Sequence, residues 1–154
     1  MKKIALILVA AMLACMMTAC GGEKEEKHEF AVEDLAKDLR EKIEYEDELT
    51  QSRDAVFYMI YGIDESIVKS QCSYFSTNAT TEEIAVVECV DKDAVATVKK
   101  AFEERVEYQK QTFESYAPEE VDRLDKALIT ELGNYVVLCV TGDVDRAMFI
   151  IDQY

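Results

Sequence analysis

The sequence predicts an α+β fold: a two-layer domain with a four-stranded, mainly antiparallel sheet in the order β-β-α-β-β-α, preceded by an amphipathic N-terminal helix and a short second helix. Three observations lead there. Apolar residues recur at spacings of three and four in several segments, the mark of one-sided helices. Between those segments lie two pairs of strand-like runs, each pair joined by a turn. Paired runs of this kind cannot build the all-parallel sheet of a doubly wound fold.

From Val32 the apolar positions are Val32, Leu35, Ala36, Leu39 and Ile43, opposite a face of Glu33, Asp34, Lys37, Asp38, Arg40 and Glu41. This helix needs a partner surface. A shorter helix is expected over Asp54–Tyr61, with Ser52 as a candidate N-cap and Gly62 as the terminator. It carries Phe57, Tyr58, Met59, Ile60 and Tyr61 in one block, read as core rather than as an aromatic binding patch. Ile67–Phe75 alternates as a half-exposed strand, with Val68, Cys72 and Tyr74 on one side and Lys69, Gln71 and Ser73 on the other. A turn at residues 78–81 leads to a more buried, β-branched strand over Glu83–Val90.

The longest periodic segment follows. Val95, Val98, Phe102, Val106, Gln109, Phe113 and Tyr116 step by three and four, with Asp91 or Asp93 available as cap. About 25 residues at ~1.5 Å each make a rod of about 37 Å. Gln109 is the one amide in the stripe, so if buried its amide must find partners. Pro118 marks the exit of the helix. Strands over 126–132 and 135–141 flank Gly133-Asn134, a tight-hairpin signal, and a last helix over about 143–152 should bury Val144, Ala147, Met148 and Ile151.

The N-terminus reads as an address. Lys2 and Lys3 precede an uncharged run from Ile4 to Met17, whose 14 residues are too few to cross about 30 Å of hydrocarbon but suit the apolar region of a signal peptide. Met17-Thr18-Ala19-Cys20, followed by Gly21-Gly22, is similar to a bacterial lipobox, with Cys20 as the lipidated residue; a competing register at Cys15 is disfavoured by the apolar Met16-Met17 after it. The expected organisation is therefore a signal peptide over 1–19, a lipidated Cys20 with a polar tether over 20–29, and one domain over 30–154. His28, the only histidine, falls in the tether and reads as solvated.

With 32 acidic against 17 basic residues, the net charge is −15, and loss of Lys2 and Lys3 with the signal takes it to −17. Such a chain does not replace phosphate counterions, which excludes nucleic acid as partner, and anionic headgroups repel it. Membrane attachment then falls to the lipid, and a two-chain diacylglyceryl group, with palmitate-class acyl chains, suffices for stable anchoring. The expected location is the extracytoplasmic face of the cell membrane.

The segments EEIAVVECVD (82–91), RVEYQKQTFESYAP (105–118) and GNYVVLCVTGD (133–143), with Tyr61-Gly62-Ile63-Asp64 and the lipobox, resemble a family of small Gram-positive bacterial lipoproteins carrying one domain of unknown function. Arg105, Gln109, Phe113, Tyr116, Pro118, Gly133, Asn134 and Tyr135 match that pattern. The resemblance implies surface anchoring and a shared domain, and it implies no chemistry.

Chemical signals are sparse. Cys72, Cys89 and Cys139 fall in three strands and read as small apolar residues, with one disulfide as the alternative. No CxxC, zinc-ligand spacing, phosphate loop, nucleophile elbow or HExxH is present, so no metal or cofactor is expected. The carboxylate pairs Glu82-Glu83, Glu103-Glu104 and Glu119-Glu120 read as solvated faces. A non-enzyme is expected, most simply a surface-displayed module that meets an envelope protein or peptide. The alternative is a small-molecule or peptide binder with a pocket near Gln109; Arg105, Gln109 and Tyr116 are the candidate structural or binding positions. An aromatic patch at Phe57, Tyr58 and Tyr61 would favour a protein partner, and a deep pocket reaching Gln109 a ligand.

Overall fold

In the computed structural model, residues 28–77 and 79–154 are described. The signal segment, Cys20 and Asn78 of the first turn lie outside them. Five strands, β1 (Thr50–Gln51), β2 (Val68–Phe75), β3 (Glu83–Cys89), β4 (Leu128–Leu132) and β5 (Tyr135–Val140), form one antiparallel sheet in the order β1-β2-β3-β5-β4. Among the described residues five α-helices accompany it: α1 (Val32–Lys42), α2 (Asp54–Tyr61), α3 (Lys92–Phe113), α4 (Pro118–Leu124) and α5 (Val144–Ile151).

The α+β class and the order of the two hairpins are as expected, but the four-stranded, two-layer arrangement is not. A fifth strand, β1, pairs Thr50 with Phe75 and Gln51 with Tyr74 at the edge of the sheet. The sheet is also covered on both faces. Ile84, Val86, Val137 and Cys139 pack under α1 and α5, whereas Ala85, Val87, Val136 and Leu138 pack under α2, α3 and α4. Successive strand residues point to opposite faces, so a strand covered on both sides must be apolar throughout. The uninterrupted run Ile84–Val87 and all of β5 obey that demand.

The helices follow their stripes with two exceptions. On α1, Val32, Leu35, Ala36 and Leu39 are buried as predicted. On α3, Asp91 is the residue that caps the start, accepting from the Ala94 N–H at 2.8 Å, and Val95, Val98, Phe102, Val106, Gln109 and Phe113 are all buried. Twenty-two residues make this helix about 33 Å long. Tyr116 lies beyond its end and is exposed, and Pro118 does more than end it. With no N–H to leave unpaired, Pro118 occupies the first turn of α4, a helix that the sequence reading lacks. On α5, Ala147, Ile150 and Ile151 face inward, while Met148, assigned to that face, is 49% exposed.

Local chemistry differs from the sequence reading at one cap, one strand face and one turn. Ser52 does not cap α2. Its hydroxyl pairs with that of Ser73 at 2.7 Å, which places Ser73 in the interior rather than on an exposed face. Gly62 ends α2 at a φ of 64°, and in the β4–β5 turn only Gly133 takes a positive φ, 59°. Glycine first and a right-handed residue second is the pattern of a type II′ hairpin.

The ends of the described chain meet. His28 Nδ1 lies 3.0 Å from the Tyr154 carbonyl, so His28, expected to be solvated, is docked. Phe30 stacks on Tyr135 at 4.1 Å between centroids and meets Tyr154 edge-on at 5.1 Å.

Cys72, Cys89 and Cys139 are buried and free. The sheet explains why. Cys72 on β2 and Cys139 on β5 face the α1 side but are separated by β3, at two strand spacings of about 4.8 Å, beyond the reach of a disulfide. Cys89 faces the opposite layer.

Candidate functional site

The site is assembled where β3 begins. Glu83, 1% exposed, puts a carboxylate between the sheet and α3. A charge withdrawn from water must be paired and hydrogen-bonded. Three side chains meet that need. The Tyr61 hydroxyl donates to Oε1 at 2.6 Å; Arg105 donates to Oε2 from Nη2 at 2.9 Å and from Nε at 3.2 Å; Gln109 donates from Nε2 to Oε2 at 3.2 Å. Arg105 and Gln109 reach the same carboxylate because four residues along a helix is one turn. Burial and the neighbouring carboxylate push the Tyr61 hydroxyl pKa well above the ordinary tyrosine range, so it stays a donor.

The carboxylate also fixes which way the Gln109 amide points. A carboxylate accepts only, so the NH₂ end faces Glu83 and Oε1 faces away. Gln109 is 7% exposed, and its Oε1 finds no hydrogen-bond partner among the described residues. The expected satisfaction of that amide is therefore half met. A cavity of about 310 Å³ opens beside it, walled by Glu83, Arg105, Gln109, Phe75 and Phe113, with Tyr116 at the rim. Tyr116 is 61% exposed and its ring lies 4.9 Å from that of Phe113. Arg105, Gln109 and Tyr116, singled out from sequence, thus share one cavity.

Two carboxylate pairs do not behave as solvated faces. Glu82, Glu83 and Glu120 are buried, whereas Glu103, Glu104 and Glu119 are exposed as expected. Glu82 accepts the backbone N–H groups of Glu46 and Asp47, each at 3.0 Å, and the Thr80 hydroxyl at 3.2 Å. Glu120 accepts the Thr81 N–H at 2.7 Å and hydroxyl at 2.8 Å, and Arg123 bridges it to Glu46. The cavity rim is therefore pinned by fixed polar contacts. Glu83 was missed because acidic residues abound; the usable signal was an acid heading an apolar strand, matched by an Arg and a Gln one turn apart on an apolar stripe.

A larger cavity, about 890 Å³, lies at the other end of α3 among Lys69, Glu88, Lys99 and Glu131. Its charges alternate and neutralise one another, as in Lys99–Glu131 at 2.7 Å and Lys69–Glu88 at 3.2 Å. Of the aromatic block of α2, Phe57 and Tyr61 are core, Tyr58 and Ile60 are half-buried and Met59 is exposed. Among the described residues no His, Cys, Asp or Glu group could hold a metal ion, and no helix is long and apolar enough to cross a membrane.

Residues 27–141 match the family described as Domain of unknown function (DUF4358). The chain belongs to that family. The DUF4358 match takes in all of β1–β5 and α1–α4 and stops short of α5, although Ala147, Ile150 and Ile151 of α5 complete the core under α1. The folded unit of this DUF4358 protein therefore extends beyond the matched residues. No curated protein and no solved structure matches the chain.

Proposed function

We propose that this chain is a lipid-anchored, extracytoplasmic binding protein that takes a small molecule or peptide in the cavity over Gln109. This choice reverses the order of the two readings weighed from sequence, in which a protein-interaction module came first. One observation carries it: the buried Glu83–Arg105–Gln109 cluster forms one wall of a cavity of about 310 Å³ whose lining also includes the exposed residues Tyr108 and Tyr116. Of the three aromatic residues whose exposure would support a protein interface, Phe57 and Tyr61 are packed inside and Tyr58 is half-buried. Binding suits the site better than catalysis, because Glu83 has both oxygens held by donors and is fixed rather than poised to move a proton. The anchor rests on Cys20 and its lipobox.

Gln109→Leu separates the readings. The change removes an orphan acceptor and also one charge-assisted bond to Glu83, contributions of about 1–3 kcal/mol in opposite directions, so the unliganded protein should keep its melting temperature within a few degrees. In a fragment screen by thermal shift, compounds that stabilise the natural chain should fail on this variant. If stability falls by several kcal/mol and no fragment discriminates the two proteins, Gln109 is purely structural and the binding reading is wrong.

A further inference from the structure

We infer that the outer edge of β4 is a self-association surface, to which a second copy of this chain adds its own β4 antiparallel, so that two sheets become one. The inference stands apart from the cavity over Gln109. A sheet edge presents unpaired backbone groups, and proteins blunt such edges by shortness, lysine, proline or a bulge. At one edge, β1 is only two residues long. At the other, β4 runs five residues, LITEL, with no lysine, no proline and no break in its register with β5. Among the described residues its backbone bonds to β5 alone. Four of its residues are half-buried and Glu131 is exposed, whereas every residue of β5 is buried, so the outer flank of β4 is open.

The register decides the occupant. The Asn134 carbonyl accepts the Cys89 N–H at 2.8 Å, so Asn134 turns its backbone towards β3 and Tyr135, the next residue, towards β4. Opposite Tyr135, Val137 and Cys139, the residues Leu132, Thr130 and Leu128 spend their backbone groups on β5, which leaves the N–H and C=O of Ile129 and Glu131 aimed outward. Two copies of β4 centred on Thr130 set Ile129 of each against Glu131 of the other, and every outward N–H and C=O finds a partner. Leu128 then opposes Leu132 of the second copy on the face where both already pack half-buried, and Thr130 opposes its own counterpart, both favourable cross-strand pairs. A slip of two residues, the step that keeps the bonding side, fails both ways. One way sets Glu131 against Glu131 and draws in Gly133, whose φ of 59° is not extended. The other needs the N–H of Ala127, already given to the Leu124 carbonyl at 3.1 Å. An edge that matches itself in one register fits a second copy better than a foreign segment. The net charge of −15 opposes association, but at the seam Lys99 neutralises Glu131 at 2.7 Å, and exposed charges beyond about 8 Å are screened at physiological salt. The two-fold turns the copies end for end, so two anchored copies pair with their strands along the surface, and an unpaired copy is free of that constraint.

The test uses the full chain purified in detergent. Sedimentation equilibrium, corrected for bound detergent, should give twice the mass of one chain. Under mild oxidation Thr130→Cys should yield a reducible covalent dimer, because directly opposed, non-bonded residues of antiparallel strands have Cα atoms about 4.5 Å apart, within disulfide reach. Glu131→Cys should yield none. Glu131→Pro removes one outward N–H while sparing the β4–β5 ladder, and should be monomeric with unchanged circular dichroism. Glu131→Ala loses the Lys99 contact but keeps the N–H, and should stay dimeric. A natural chain that is monomeric overturns the inference and returns the edge to a foreign strand. A dimer that a folded Glu131→Pro leaves intact overturns β4 as the seam; if that variant does not fold, the Thr130→Cys crosslink decides alone. A crosslink through Glu131→Cys without one through Thr130→Cys overturns the register and with it the argument for a second copy.

Discussion

Glu83→Gln changes one buried oxygen to an NH₂ and leaves the volume unchanged, so it isolates charge from packing. With its amide nitrogen in place of Oε2, the new side chain would aim donors at the Arg105 Nη2 and Gln109 Nε2 donors; with nitrogen in place of Oε1, the Tyr61 hydroxyl must turn round and only the long 3.5 Å contact from Arg105 Nε is lost. The second arrangement should win, leaving Arg105 with a neutral acceptor. Breaking a buried ion pair costs about 3–5 kcal/mol, and because the Arg105 side chain keeps 19% of its exposure the lower end applies, about 3 kcal/mol. Urea denaturation followed by circular dichroism should show the midpoint falling by roughly 2 M at an m-value of about 1.5 kcal/mol/M, with m itself unchanged. Replacing both partners, as Glu83→Leu with Arg105→Leu, should recover much of the loss, giving a favourable coupling energy in the double-mutant cycle. A Glu83→Gln protein within 0.5 kcal/mol of the natural chain, taking about that much as the noise of a surface substitution, would refute the claim that this ion pair organises the site.

Phe113→Ala should cost about 3–5 kcal/mol, since the ring is 7% exposed at the end of the α3 stripe; a loss under about 1 kcal/mol by the same assay would mean the ring packs against nothing. Denatured, non-reduced protein carrying Cys15→Ser and Cys20→Ser should titrate with three free thiols, and a count of one would contradict the strand separations described above. Burial holds the Cys89 and Cys139 thiols up to about 12. The unfolded chain ionises them near 9 and the folded chain does not, so stability is full below pH 9 and falls by about 1.4 kcal/mol per pH unit for each thiol as pH rises toward 12. Replacing both by Ala should flatten that alkaline slope in pH-dependent denaturation, and an unchanged slope would count against it. Cys20→Ala should move the protein out of the membrane fraction or leave its signal unprocessed; lipid labelling equal to that of the natural chain would refute Cys20 as anchor.

What could be read before the structure was what local periodicity decides. The stripes of α1 and α3 and the Gly133-Asn134 hairpin depend on neighbours within a turn or two, and their side chains landed where the spacing put them, apart from Tyr116 beyond the end of α3. Features decided by distant partners were missed. The two residues of β1 have no pattern of their own and become a strand only because β2 offers an open edge. Pro118 stops one helix and starts the next, and single-residue rules state only the first. The second helical layer was hidden because a strand buried on both faces looks, in sequence, like any apolar run. At the site, Gln109 and Arg105 stood out against an apolar stripe, but Glu83 was one acid among 32. Its burial follows from which strand it heads, a tertiary fact.

The docking of His28 and Phe30 against Tyr135 and Tyr154 has a directional consequence. Tyr135 opposes Glu88 at one end of β3, while the Gln109 cavity opens by Glu83 at the other, about 17 Å away along the strand. His28 and Tyr154, the two ends of the described chain, therefore lie at one pole and the cavity occupies the opposite one. A chain held to a surface by its N-terminal segment would present the cavity outward, and a reporter fused after Tyr154 would sit at the anchored pole, clear of whatever enters.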